Sequence, residues 1–124
     1  MPVVLAVAAG GAVGAASRYG LDRLIERRSF AVFPWSTFTI NVSGCFLIGL
    51  VIAVLVDRHQ TPAWARAGLV VGVLGGYTTF STFAQETLDL LRAEDLALAL
   101  LYSLGSLAGG VLAVVIGTAL GRTL

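Results

Sequence analysis

The chain has 124 residues, 57% of them hydrophobic and 12% charged, with a mean hydropathy of +0.91 and a formal net charge of +1. A soluble domain carries roughly 25% charged residues, so this composition excludes a soluble domain of any size. One cysteine, Cys45, excludes an intrachain disulfide.

Four apolar blocks, at roughly 3–21, 36–56, 68–91 and 96–120, use most of the chain. Each is close to the ~20 residues a helix needs to cross the hydrocarbon core. The reading is an all-α integral membrane protein, with residues 1–124 forming a single domain of four transmembrane helices. No basic residue precedes the first block, which therefore reads as a span and not as a cleaved signal.

The first span has a small surface, with Gly10, Gly11, Gly14 and alanine at 6, 9, 12, 15 and 16. Gly10-x-x-x-Gly14 is a close-packing pattern for helices in lipid. A dinucleotide fingerprint is dismissed, because no strand precedes these glycines and no βαβ unit follows. Arg18, near the end of the span, can snorkel to the interface or line a vestibule. Residues 22–34 form a polar, partly helical link, and Pro34 and Trp35 mark re-entry.

In the second span Thr37, Asn41, Gly44 and Cys45 share one helical face. A carboxamide at this depth needs partners, so Asn41 either makes an interhelical hydrogen bond or lines a polar path. Cys45 reads as a small buried residue. His59, the only histidine, falls in the second connection, a poor place for a metal site or a general base. Trp64 suits an interface.

The third span holds the most distinctive stretch, residues 72–87, with three glycines, five Ser/Thr residues and Glu86 inside an apolar segment. Gly72-x-x-x-Gly76 gives close approach, and Gly75-Gly76 offers an unwinding point without proline, so the third helix is expected to be broken near its middle. Such backbone is tolerated in a bilayer only where protein or a water-filled cavity surrounds it. Beyond the break Phe80 and Phe83 face the same way, with Thr79, Thr82 and Glu86 as an adjoining polar stripe. Asp89, Arg92, Glu94 and Asp95 form the third connection. In the fourth span Tyr102, Ser106 and Gly109/Gly110 form another single-faced track, and Gly105-x-x-x-Gly109 permits close contact.

The positive side chains are all arginine. Arg58, Arg66, Arg122 and the terminal amine fall on one side of the membrane, and Arg18, Arg23, Arg27, Arg28 and Arg92 on the other. Four against five gives no firm orientation. That balance fits a weak signal, and it fits a chain that inserts both ways and pairs antiparallel.

No nucleophile–base pair, metal-ligand cluster or carboxylate pair is present, so catalysis is not expected. The stripes offer uncharged hydrogen-bond donors, suited to a small ion that must shed water. A cation path would show acidic rings or rows of carbonyls. Donors from Asn, Thr, Ser and Tyr with arginine at the mouth favour an anion, and the electropositive edges of Phe80 and Phe83 can face one. The physical argument reaches a small anion and no further.

The residues 75–83, Gly-Gly-Tyr-Thr-Thr-Phe-Ser-Thr-Phe, followed by Glu86, closely resemble the signature of the CrcB/Fluc fluoride channels. Residues 39–49 look like that family's second-span motif and residues 10–19 like its first, so the resemblance covers the whole chain. It implies an antiparallel, dual-topology homodimer in the plasma or inner membrane, with two pores that export fluoride passively and prevent its toxic accumulation. Membrane lipid, fluoride and a second copy would be the partners; no nucleic acid is expected. Phe80 and Phe83 would form an aromatic box, with Asn41 a donor beside it, Ser81 and Thr82 polar neighbours, and Tyr102 and Ser106 the start of the track on the fourth span. Where the family often continues that track with a hydroxyl, this chain has Gly110. A structural sodium ion (Na+) at the dimer centre would be held by the backbone carbonyls of Gly75 and Thr78 from each subunit, and Arg18 would be a vestibule residue. A small proton-coupled multidrug exporter is the main rival, but it needs a membrane-embedded acid that the first span lacks. The polar tracks argue against a non-transporting assembly subunit.

Overall fold

The computed structural model describes residues 2–57 and 61–124; the expectation for His59 lies outside the described residues. Four helical stretches are long and apolar enough to cross a bilayer: Val3–Glu26, Trp35–Leu55, Ala63–Arg92 and Leu96–Thr123. The first span, α1 (Val3–Glu26), runs past the expected boundary at 21 and takes up the first part of the polar link. The second span is α2 (Trp35–Asp57) and the fourth is α6 (Leu96–Thr123).

The third span is composite. It begins as α3 (Ala63–Ala67), widens into a π-helix over Gly68–Leu74, and returns to α-helix as α4 (Gly75–Tyr77). Two extended residues follow, and α5 (Phe80–Arg92) completes it. Within the π-helix the Gly75 N–H reaches back five residues to the Val70 carbonyl. The span changes direction only modestly across the interruption.

Glycine decides the packing. A Cβ on Gly72 would lie 2.8 Å from the Val7 carbonyl oxygen, and one on Gly76 would lie 2.7 Å from that of Gly11. Gly10 and Gly14 press still more closely on the backbone of Gly68 and Val73. Alpha-1 and the first half of the third span therefore touch backbone to backbone, the packing that the Gly10-x-x-x-Gly14 pattern predicted.

The same device joins α2 to α6, through Gly49, Gly117 and Gly121, whose Cβ would lie 2.8 Å from the Leu50 carbonyl oxygen. The expected pair Gly105 and Gly109 does not serve. Gly105 has nothing within 4 Å, and Gly109 makes ordinary contacts with Val42 and Phe38.

The loops are locally capped. Ser36 donates to Asp22 across the first connection. Asp95 caps α6 by accepting from the Leu98 N–H at 3.0 Å, directly after Glu94 turns the chain at φ 59°. Outside these contacts the surface is largely apolar: Leu100, Leu101, Leu104, Leu107, Val111 and Leu112 on α6 are all exposed, as a helix facing lipid or another apolar surface requires.

Candidate ion pathway

The candidate site is built around the interruption. Thr78 (φ −82°, ψ 160°) and Thr79 (φ −149°, ψ 115°) are extended, so the i→i−4 ladder cannot continue through them. In a bilayer the released backbone groups must find partners. Asn41 supplies them for Thr79: its Nδ2 donates to the Thr79 carbonyl at 2.9 Å, and its Oδ1 accepts from the Thr79 N–H at 2.8 Å. The carboxamide thus pairs with Thr79 as a neighbouring backbone would. The reading of Asn41 as an interhelical bond is the one the geometry realises, and its second Nδ2 hydrogen is left over.

The interruption sits at Thr78–Thr79, not at the expected Gly75–Gly76, which is helical. The reason is that Gly76 is needed for close approach to α1, whereas Asn41 can satisfy an extended threonine. Because the Thr79 N–H turns to Asn41, the Gly75 carbonyl loses its normal i+4 donor. The Thr78 carbonyl accepts from Arg18 Nη1 at 3.4 Å. Arg18 therefore reaches back along the span to the break instead of only extending to the interface.

Thr79 is also the N-cap of α5. Its Oγ1 accepts from the Thr82 N–H at 3.2 Å and donates to Thr82 Oγ1 at 3.0 Å; Ser81 Oγ lies 3.4 Å away. Ser81 and Thr82 are exposed on the first turn of α5, where the helix end carries partial positive charge.

Beside the break lies a groove of about 370 Å³ lined mostly by apolar atoms. Asn41, Phe80, Phe83 and Ser106 meet on its wall, together with Cys45 and Gly75. The rings of Phe80 and Phe83 are 5.8 Å apart, and Phe80 is 79% exposed on the surface of the chain. Ser106 Oγ lies buried behind this wall without a hydrogen-bond partner among the described residues. Gly110 adjoins: a Cβ there would meet Cys45 Sγ at 3.2 Å.

Tyr102 is placed differently. It is fully buried, and its hydroxyl donates to Glu86 Oε2 at 2.6 Å. Thr37 Oγ1 donates to the other oxygen, Oε1, at 2.8 Å. Both carboxylate oxygens are thereby satisfied, and the second, third and fourth spans are tied together. From its place one turn beyond Thr82 on α5, Glu86 directs its carboxylate to Thr37 and Tyr102. The Tyr102 ring meets Phe83 edge-on at 5.2 Å and Phe33 at 5.4 Å. Phe33, from the link region, was not foreseen as part of this cluster; only its aromatic neighbours in the sequence hinted at it.

Residues 5–118 match the family described as "CrcB-like protein, Camphor Resistance (CrcB)". The chain belongs to the CrcB family. With its four spans it is a multi-pass protein of the cell membrane. Among its curated relatives, a protein of Acidobacterium capsulatum is 48% identical over 94% of this chain and 93% of its own. One of Chloroflexus aurantiacus is 43% identical over 96% and 94%, and one of Aquifex aeolicus is 41% identical over the full length of both. All three are named as fluoride-specific ion channels, and the CrcB family is one of channels, not of enzymes.

Proposed function

We propose that the chain is the subunit of a passive, fluoride-selective channel that exports fluoride and keeps it from accumulating in the cell. The observation that carries this reading is the groove wall on which Phe80 and Phe83 stand beside Asn41, with the unpartnered Ser106 hydroxyl buried behind it. Fluoride gives up a tightly held water shell when it enters a narrow path. Short donors fixed in an apolar wall replace that shell without drawing in bulk water, and positive ring edges add to them. The free Nδ2 hydrogen of Asn41 is the donor on the wall, with the Ser106 hydroxyl behind it; Glu86, turned toward Thr37 and Tyr102, keeps its charge off the wall.

In this reading the working unit is an antiparallel homodimer with two pathways. The exposure of Phe80 supports it, because a pore residue must be enclosed and a second copy would enclose it. The near-equal division of arginines between the two sides agrees. Ser81 and Thr82 lie at the rim of the pathway, and Tyr102 acts through the Phe83 ring. A structural sodium ion would take the Gly75 carbonyl, which has lost its i+4 donor to Asn41, and the Thr78 carbonyl, which would have to share its oxygen with the Arg18 guanidinium or release it.

The test is fluoride efflux from liposomes holding the purified protein, followed with a fluoride electrode and a chloride control. Rapid fluoride loss that depends on a counter-ion shunt, without chloride loss, is the expected result. Absence of fluoride loss from folded protein overturns the reading.

A further inference from the structure

A second tie holds the third span just before its interruption. Tyr77, the last residue of α4, places its hydroxyl 2.8 Å from Ser43 Oγ on α2. Ser43 Oγ also lies 3.1 Å from the Ile40 carbonyl oxygen, to which it donates. A serine hydroxyl has a single proton. Since that proton goes to a carbonyl with none to give, Tyr77 is the donor in the other bond and Ser43 the acceptor. Donation therefore runs from Tyr77 to Ser43 to Ile40.

Three consecutive residues of the third span are thus each held by a different group: Tyr77 by Ser43, the Thr78 carbonyl by Arg18, and Thr79 by Asn41. Ser43 and Asn41 are two residues apart on α2, about 200° around the helix. Between them, Gly44 leaves the space that the Thr78 methyl fills. Without the Tyr77–Ser43 bond the segment would be held only from Thr78 onward, by Arg18 and Asn41. With it, α2 anchors the segment from two flanks.

We infer that Ser43 and Tyr77 are a positioning pair for the ion pathway, fixing the entry to the interruption as Asn41 fixes its exit. The inference rests on the channel reading for its functional arm. Its structural arm stands without it.

The direction of donation makes the two halves unequal. Ser43→Ala leaves the Tyr77 O–H as an unpaired donor within an apolar span. Tyr77→Phe removes that donor and leaves Ser43 still bonded to Ile40. Tyr77 and Ser43 are half-buried, so stranding the donor costs more than removing it, and a tenfold effect corresponds to about 1.4 kcal/mol. Ser43→Ala is therefore expected to lower fluoride flux about tenfold, and Tyr77→Phe by only about two- to threefold. The double variant should return to the level of Tyr77→Phe, and Ser43→Thr should restore flux.

Hydrogen exchange read by mass spectrometry on the same proteins supplies the independent arm. Both single variants are expected to speed exchange in the peptide holding residues 77–80, Ser43→Ala the more, while peptides from α1 and α6 keep their rates. Equal effects of the two single variants, or a double variant worse than both, would overturn the donor assignment. Unchanged exchange at 77–80, or a uniform rise in all four spans that Ser43→Thr does not reverse, would overturn the positioning role. If Ser43→Ala fails to fold, Tyr77→Phe alone decides by whether exchange rises at 77–80. A wild type that folds but passes no fluoride would overturn the channel reading and leave the exchange arm to judge the pair.

Discussion

Asn41 pairs with Thr79 through both ends of its carboxamide, at 2.9 and 2.8 Å, and so replaces the backbone bonds that the third span gives up at its interruption. One side chain on α2 thereby sets where the third span is extended and where α5 begins. Asn41→Leu removes both bonds and strands a donor and an acceptor. At about 1–3 kcal/mol for each unsatisfied group, the variant should unfold at lower temperature and lose fluoride flux. Asn41→Asp keeps an acceptor for the Thr79 N–H but sets a carboxylate against the Thr79 carbonyl and beside an anion path. It should fold better than Asn41→Leu and conduct no better. Thermal unfolding in detergent and liposome efflux check the two orders.

Phe80 and Phe83 share the groove but not their surroundings, so their variants should separate conduction from stability. Phe83 packs edge-on against the buried Tyr102 ring, whereas Phe80 is 79% exposed in the single chain. Phe83→Ile should lower both flux and unfolding temperature, the latter by the equivalent of about 1–2 kcal/mol for lost ring contacts. Phe80→Ile should abolish flux with little loss of subunit stability. Normal flux in both variants would remove the aromatic pair from the pathway.

The Thr37–Glu86–Tyr102 cluster predicts a graded loss. Tyr102 is the more buried and its bond to Glu86 the shorter, 2.6 against 2.8 Å. Hydrogen bonds to a charged group contribute about 1.5–3 kcal/mol. Tyr102→Phe should therefore destabilise more than Thr37→Val, and the two together should cost more than their sum, because Glu86 is then left without either donor. Unfolding midpoints of the two single variants and the double measure this directly.

The spans were legible because bilayer length and apolar composition leave few alternatives for a chain with so little charge. The shared face of Thr37, Asn41 and Gly44 was also legible, since helical spacing alone fixes it; all three turn toward the third span. The site of the interruption was not. The Gly72-x-x-x-Gly76 spacing marked close approach, but the glycine pair also marked backbone freedom, and the sequence does not say that one use excludes the other. Gly76 lies against Gly11, so the interruption moves on to two threonines whose partner, Asn41, is 38 residues away in the chain. Glu86 shares a helix face with Thr82, but its partners were not legible. They lie on the second and fourth spans. The π-helix over Gly68–Leu74 leaves no periodic trace in a run that is apolar on every side.

Glycines in this chain divide into those that a Cβ would break and those it would not, and α1 contains both. A Cβ on Gly14 would collide with the backbone around Val73, with the Tyr77 nitrogen 2.9 Å away, whereas one on Gly11 meets nothing within 4 Å. Overpacking against backbone costs about 1–3 kcal/mol, because a main chain in contact cannot rotate aside as a side chain can. Gly14→Ala should therefore force α1 away from the third span, lower the unfolding temperature and, by moving Tyr77 at the edge of the interruption, reduce fluoride flux. Gly11→Ala should leave both within about 0.5 kcal/mol of the wild type. The comparison is made on one helix, three residues apart, with the same added methyl group. Equal tolerance of both would mean that α1 and the third span are not in backbone contact. Equal damage would instead place a second copy of the chain, not lipid, against Gly11.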